Sequence, residues 1–378
     1  MFTSILKLRR LLRLSDTNDR QPTLSPDESD TPFDVSTFIR DLGLQEDHKP
    51  ACEYPQWRSP QIVAVMGATP ERIRWLQSAA PNSKLISQPW GEAPSNDTLA
   101  ADCLIGWCTQ AFAVRARNLR WVHLNAAGVE EVLDLPGLRD RDLLVTNLQR
   151  VSGPVIAQHA FGLILCLCRS LPEHLRNQKK RKWLPQAVSS SQLHALDGKT
   201  MLVVGLGGIG SSMARVAHGL GMRVVAIRRS STITTLEFVD QVGRPDELVS
   251  LAAYADVIVN CLPLTHATRG LFDANFFSSV KRGALFVNVG RGASVVTDDL
   301  ADALHRGQLG GAALDVTDPE PLPKSHPLWR MPNVVITPHI AGRSSDTDRR
   351  EWLVARENLR RYAAGEYMLS VVDRSRGY

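Results

Sequence analysis

Val203-Val204-Gly205-Leu206-Gly207-Gly208-Ile209-Gly210 decides how the rest of this 378-residue chain is read. The β-branched run MLVVG (201–205) leads into it, and the helical pattern SSMARVAHGL (211–220) follows. Between a strand and a helix each glycine of G-x-G-x-x-G has a physical task. Gly205 permits the tight turn, Gly207 lets a backbone approach a pyrophosphate, and Gly210 allows close helix–strand packing. The helix start adds free amides and positive dipole for phosphate groups. The plain alternative is a glycine-rich turn with no ligand.

The next strand sharpens the reading. A site for NAD(H) usually carries Asp or Glu at the end of the second strand, to accept from the ribose 2′-hydroxyl. Here RVVAI (223–227) ends in Arg228, Arg229 and Ser230, and no acid follows until Glu237. Two guanidiniums and a hydroxyl suit a 2′-phosphate and offer a bare ribose no carboxylate. The expected cofactor is NADP(H), with NAD(H) the second choice; a pair of solvated loop arginines is the bland reading.

Working outward, strand-like runs recur at DVIVNC (256–261), LFVNV (285–289), GAALDV (311–316) and NVVIT (333–337), with helical patterns between them. One of these, DDLADALHRGQL, has Thr297 or Asp298 as its candidate cap. Strands alternating with helices predict an α/β fold, a Rossmann doubly wound parallel sheet with right-handed crossovers. Upstream, QIVAVM (61–66), DCLIG (102–106), RWVHL (120–124) and DLLVT (142–146) repeat the theme as a second, flavodoxin-like lobe. The apolar stretch 154–171 reads as a buried linker helix. The expected organisation is an extension over 1–58, disordered or used for targeting, with a short helix around 33–44. The first part of a substrate domain follows over 59–153, the cofactor domain with its linker helix over 154–338, and a return to the substrate domain over 339–378.

Three chemistry-bearing residues fall at carboxyl ends of expected strands, where open α/β sheets bind ligands. They are Arg291 in VNVGRG, Glu320 in LDVTDPEP and His339 in TPHIAG. Each alone has a dull alternative, but all three share the sheet edge that carries the glycine turn. These segments, together with LNAAGVE, VIAQHAFGLILCLCRSLPE and CLPLT, resemble the D-isomer-specific 2-hydroxyacid dehydrogenase family over about residues 61–370. Within it the chain looks most like the NADP-linked glyoxylate/hydroxypyruvate reductase branch. The resemblance implies that Arg291 binds a 2-keto acid, that His339 is the acid/base and that Glu320 tunes it. It also implies that the amides of Ala127 and Gly128 hold the substrate carboxylate. For the cofactor it implies Gly208 and Ile209 at the pyrophosphate, Pro263 along the groove, Val289 and Gly290 beside Arg291, and Asp315 near the nicotinamide carboxamide. Gln158 stands where members often carry Glu. The family architecture further implies that residues 346–364 return to the first lobe, that a cleft closes over substrate, and that the chain is a homodimer with Trp183 near the partner's site.

The chemistry of reduction agrees independently. Hydride transfer to a ketone leaves an alkoxide, so a proton donor must stand within hydrogen-bond reach, and histidine is the usual choice. Arg291 can pair with the carboxylate and polarise the carbonyl.

Composition narrows the rest. A formal charge of +5 from 44 Lys and Arg against 39 Asp and Glu is a weak excess. Residues 1–60 hold 8 basic and 10 acidic side chains, so the surplus lies in the body of the chain. Residues 1–15 are basic and amphipathic, which suits a transit segment or a plain extension; the expected compartment is the cytoplasm, with an organelle as the alternative. Six cysteines without a CxxC pair read as free thiols, and no metal site is expected. No run reaches the ~18–20 apolar residues of a membrane span. Five positive charges in residues 176–182 read as a solvated helix end, and no nucleic-acid partner is expected. The rival reading is a dinucleotide-sensing co-repressor, since such relatives keep the same Arg, Glu and His. A 3-hydroxyacid dehydrogenase would carry its glycine loop near the start of the chain. Glyoxylate, hydroxypyruvate and larger 2-keto acids all remain open as the partner small molecule.

Overall fold

Runs rich in β-branched and apolar residues become the strands. In chain order the strands are Glu46–Pro50 (β1), Ile62–Met66 (β2), Lys84–Gln88 (β3), Cys103–Ile105 (β4), Trp121–His123 (β5), Leu144–Thr146 (β6), Thr200–Val204 (β7), Arg223–Ile227 (β8), Gln241–Gly243 (β9), Val257–Asn260 (β10), Ala284–Asn288 (β11), Leu309–Leu314 (β12), Val334–Ile336 (β13) and Tyr367–Leu369 (β14). They come from a computed structural model that describes residues 34–189, 193–229 and 236–374. The described chain divides into two units, Gln149–Thr347 and the described residues up to Leu148 joined by Asp348–Val372.

In Gln149–Thr347 the described strands form one parallel sheet in the order β13-β12-β11-β10-β7-β8-β9. Counted from β7, this is the 3-2-1-4-5-6 order of the Rossmann fold with one more strand at the far edge, and it reverses between β7 and β10. Successive side chains alternate between two cores. Met201, Val203, Val224 and Val259 pack on one side, and Leu202, Val204, Val225 and Ile258 pack on the other. Cover on both faces explains why these strands read as continuous apolar runs rather than alternating ones. The first core includes Ala157, Ala160, Phe161 and Ile164 of the linker helix Gly153–Cys168. The second is keyed by Phe272, Phe276, Phe277 and Phe286, packed edge to face.

The other unit carries a parallel sheet in the order β3-β2-β4-β5-β6, the 2-1-3-4-5 pattern of flavodoxin-like sheets. The helix Ser345–Ala364 supplies Ala355, Leu359 and Tyr362 to the core on one face of that sheet. Tyr362 stacks on Trp121 with ring centroids 4.8 Å apart.

Several boundaries differ from the sequence reading. Residues 46–58 are part of the fold and not of an extension, because β1 pairs antiparallel with β14 and Ala51 is fully buried. The expected helix near 33–44 spans Val35–Leu42, capped by Asp34 and closed by Gly43. The first crossing lies at 148/149 rather than 153/154, since Arg150 and Gly153 pack against Gly208 of the glycine turn. The second lies at 347/348 rather than 338/339, because the amides of His339, Ile340 and Ala341 all bond to Asp315. Thr297 does not cap its helix; Val296 is the N-cap, and the Thr297 hydroxyl donates to the Asp318 carbonyl at 2.6 Å. Residues 1–15 and Ser230 lie outside the described residues.

The basic run around 176–182 is exposed apart from Asn177, and Arg176 is paired with Glu173 at 2.6 Å. Trp183 beside it is 91% exposed. Among the described residues no single helix is long and apolar enough to cross a membrane.

Glu351, on the return helix, has its carboxyl pushed up to about 7 by burial and by the neighbouring Asp348. An unfolded glutamate ionises near 4.5. Between those values the folded chain holds a proton that the unfolded chain has lost. This site therefore destabilises the fold progressively as pH rises through 7 and has no effect below about 4. Urea unfolding should find Glu351→Gln more stable than wild type by ~2 kcal/mol at pH 8, with the two converging by pH 5.

Candidate active site

β7 ends at the glycine turn. Gly205 takes φ = 100°, a left-handed conformation that a side chain would strain, and its amide donates to Ile227 O at 3.0 Å. A Cβ on Gly210 would lie 2.0 Å from the Gly205 carbonyl oxygen, so only glycine lets the helix Gly208–Gly219 start this close to the strand. Gly207, the N-cap, is the opposite case, with open space where its Cβ would stand. That helix has no side-chain cap and no acid in its first turn. An uncapped N-terminus facing open space is suited to a phosphate group.

At the end of β8 the Arg228 amide donates to Gly243 O, its side chain is half-buried, and Arg229 is exposed. The sequence reading missed a third arginine here. Arg150 adopts φ = 68° and lays its Cβ and Cγ against Gly208. Burial and the like charge of Arg228 hold the Arg150 guanidinium below the usual arginine range. The nearness of two cations beside the glycine turn favours an anion between them. Nothing local in LQRVSG pointed to this, because the contact joins residues far apart in sequence.

The loop after β10 lies beside the same turn. Leu262 approaches the Cβ position of Gly205 at 3.0 Å, and the Pro263 carbonyl is held by the Thr268 hydroxyl at 2.7 Å. After β11, Val289 is buried, and a Cβ on Gly290 would meet the Leu262 carbonyl at 2.8 Å. Arg291 is then aimed by a buried polar network that sequence reasoning also missed. Asn260 Nδ2 donates to Asn288 Oδ1 and Ser294 Oγ, while Asn288 Nδ2 and Ser294 Oγ both donate to the Arg291 carbonyl. The Arg291 side chain donates to Gly290 O at 2.9 Å. Asparagines ending two adjacent strands, VIVN and LFVN, were the available signal.

His339 follows β13 with φ = 54°, a costly conformation for a side-chain-bearing residue. Asp315 holds it there. The His339 amide donates to the Asp315 carbonyl, and the 3% exposed carboxylate accepts from the amides of Ile340 and Ala341 and from the Thr337 hydroxyl. His159 Nε2 stands 3.6 Å from the same carboxylate. The Asp315 carboxylate, expected near the nicotinamide carboxamide, builds the histidine turn. His339 Nδ1 lies 2.8 Å from Glu320 Oε1. A carboxylate accepts, so Nδ1 carries the hydrogen and Nε2 is the face left for chemistry.

Ala127 and Gly128 belong to the other unit. They follow β5, with Ala127 O accepting from Asn147 Nδ2 at 2.7 Å and Leu148 N donating to Ala126 O.

Comparison with known proteins places the chain in a family. The model for the D-isomer specific 2-hydroxyacid dehydrogenase NAD-binding domain matches residues 161–341. A human glyoxylate reductase/hydroxypyruvate reductase is 35% identical over 256 residues, 67% of this chain and 76% of its own. A D-isomer specific 2-hydroxyacid dehydrogenase from Xanthobacter autotrophicus, solved with NADPH and MES, superposes with a TM-score of 0.73 at 30% identity, covering 85% of this chain and all of that one. An NADPH-dependent glyoxylate/hydroxypyruvate reductase from Sinorhizobium meliloti, solved with NADP and sulfate, gives 0.70 at 30% identity, covering 84% of this chain and all of that one. The chain belongs to the D-isomer-specific 2-hydroxyacid dehydrogenases, a family of NAD(P)-dependent oxidoreductases.

Proposed function

We propose that the chain reduces a 2-keto acid to the D-2-hydroxy acid with NADP(H) as the preferred cofactor and His339 as proton donor. The observation that carries this reading is the His339–Glu320 pair at 2.8 Å, on the sheet edge that also bears the glycine turn and Arg291. The residues suit the cofactor: the open face of Gly207 and the uncapped helix start would take its pyrophosphate, and Arg228, Arg229 and Ser230 its 2′-phosphate. Gly208, Ile209, Pro263, Val289 and Gly290 complete the proposed lining. When bound, the reduced nicotinamide supplies a hydride.

The rest falls to the protein. Arg291 pairs with the substrate carboxylate and draws electron density from the carbonyl, assisted by the Ala127 and Gly128 amides. His339 gives the proton at Nε2 to the carbonyl oxygen, while Glu320 holds Nδ1 and so fixes the ring's orientation. Asp315 is a positioning residue, keeping the histidine turn in its left-handed form.

NADPH oxidation across a panel of 2-keto acids, repeated with NADH, tests the reading. Turnover on none of them would favour the dinucleotide-sensing alternative. The two glycines give a sharper test of the cofactor site. Gly207→Ala adds a methyl into open space and should change stability by no more than ~0.5 kcal/mol, yet weaken NADPH binding at least ~10-fold in a fluorescence titration. Gly210→Ala should instead lose ~1–3 kcal/mol in urea unfolding, since backbone must move.

The same reading takes the chain as a homodimer. Leu171, Leu175, Trp183 and Leu184 are large apolar side chains exposed after the linker helix, and such a patch suits a partner surface.

A further inference from the structure

The unit that carries Ala127 and Gly128 holds a cavity of about 220 Å³ at the carboxyl ends of β2, β4 and β5. Its walls are aromatic and polar together. Trp90 lies across Gly67, where any Cβ would strike the indole, and Trp352 carries the Arg72 guanidinium 4.5 Å above its ring. Ala355 and Glu351 face in from the return helix, and His123 forms part of the floor.

His123 is the informative residue. It is 1% exposed, and its Nε2 has no hydrogen-bond partner. The opposite nitrogen is spoken for: Thr146 Oγ1 accepts from Trp121 Nε1 and lies 2.8 Å from His123 Nδ1. Asn358, fixed by two bonds to Leu369, points its Nδ2 at Nδ1 as well. The Asn358 amide nitrogen, 3.5 Å from Nδ1, can only donate, so Nδ1 accepts and the ring hydrogen sits on Nε2. Burial pushes the His123 imidazole down to about 3, which keeps the ring neutral. A buried N–H without an acceptor costs ~1–3 kcal/mol and is rare in native proteins. An oxygen-bearing occupant removes that cost.

Size and position identify the occupant. A cavity of about 150 Å³ already holds a benzene ring, and this one is larger. Glyoxylate has no side chain to fill it. Asn125, in the cavity wall, stands two residues before Ala127, so the cavity adjoins the loop proposed to hold the substrate carboxylate. We infer that the cavity receives the side chain of a ring-bearing 2-keto acid whose ring hydroxyl accepts from His123 Nε2 and donates to Glu351. This rests on the reductase reading above.

The test separates the two. In calorimetric titration of the full chain, p-cresol should bind and toluene should bind at least ~10-fold more weakly. Ala355→Leu, which fills the cavity, should abolish p-cresol binding, and His123→Phe should bring p-cresol to the level of toluene. In NADPH oxidation, 4-hydroxyphenylpyruvate should exceed glyoxylate in kcat/KM by at least ~10-fold, and Ala355→Leu should reverse that order. Glyoxylate turnover without p-cresol binding, or with a glyoxylate preference that Ala355→Leu leaves intact, would overturn the cavity assignment and spare the reductase. Failure of every 2-keto acid to oxidise NADPH would overturn the reductase reading and the substrate assignment with it.

Discussion

His339→Ala is expected to lower kcat by ~10²–10⁴-fold, the range that follows loss of a general acid. In the proposed reaction the proton that meets the developing alkoxide comes from Nε2, because Nδ1 is committed to Glu320. NADPH affinity should change little, since the glycine turn and the arginines at the end of β8 are untouched, so the loss should appear in kcat far more than in the cofactor KM. Glu320→Gln is the informative companion. It keeps a side chain of similar shape but can offer its amide N–H to Nδ1, which removes the fixed tautomer. It should lose activity by a smaller factor, with a changed pH–rate profile. Near-normal turnover of His339→Ala on the best 2-keto acid would refute the assignment.

The second large effect concerns cofactor choice. Arg228→Ala/Arg229→Ala should lower kcat/KM for NADPH by ~10²-fold or more, as two charge-assisted contacts to a 2′-phosphate are worth ~1.5–3 kcal/mol each. NADH, which lacks that phosphate, should respond far less. The effect should fall short of the sum of the single variants. Arg150 remains, and removing Arg228 relieves the repulsion that now lowers Arg150's basicity. Equal efficiencies with NADPH and NADH in the wild type would overturn the preference.

Much of this was legible in the sequence because the informative segments are local. A strand, a glycine turn and a helix are contiguous at 200–219, so one window contains all the physics that makes them a unit. Arg291, Glu320 and His339 each follow an apolar run short enough to read as a strand. The edge strands were harder. β3 (KLISQ) and β9 (QVG) are short or half polar, and β1 (EDHKP) carries nothing strand-like in its composition. It is a strand only because β14 offers backbone partners from more than 300 residues away. Arg150 and the anchoring role of Asp315 were invisible for the same reason, and the Asn260–Asn288–Ser294 network showed only as asparagines ending two strands. Each depends on a contact between segments that no local pattern connects. The N-terminal boundary was misjudged because an acidic, Ser/Pro-rich stretch gave way to folded chain without a compositional break.

The closing of the first sheet by the last helix has a consequence for how the chain is made. Val63, Val65, Ile105 and Trp121 are translated early, but Leu359 and Tyr362, which complete their core, come near the end. At ~5–20 residues per second, the intervening Gln149–Thr347 takes ~10–40 s to synthesise. The cofactor-binding half therefore has all its residues while the earlier-made half still waits for its cover. On the ribosome the first unit begun is the last one finished, and a stop codon that removes only the final turns of the chain would strand a face that was built first.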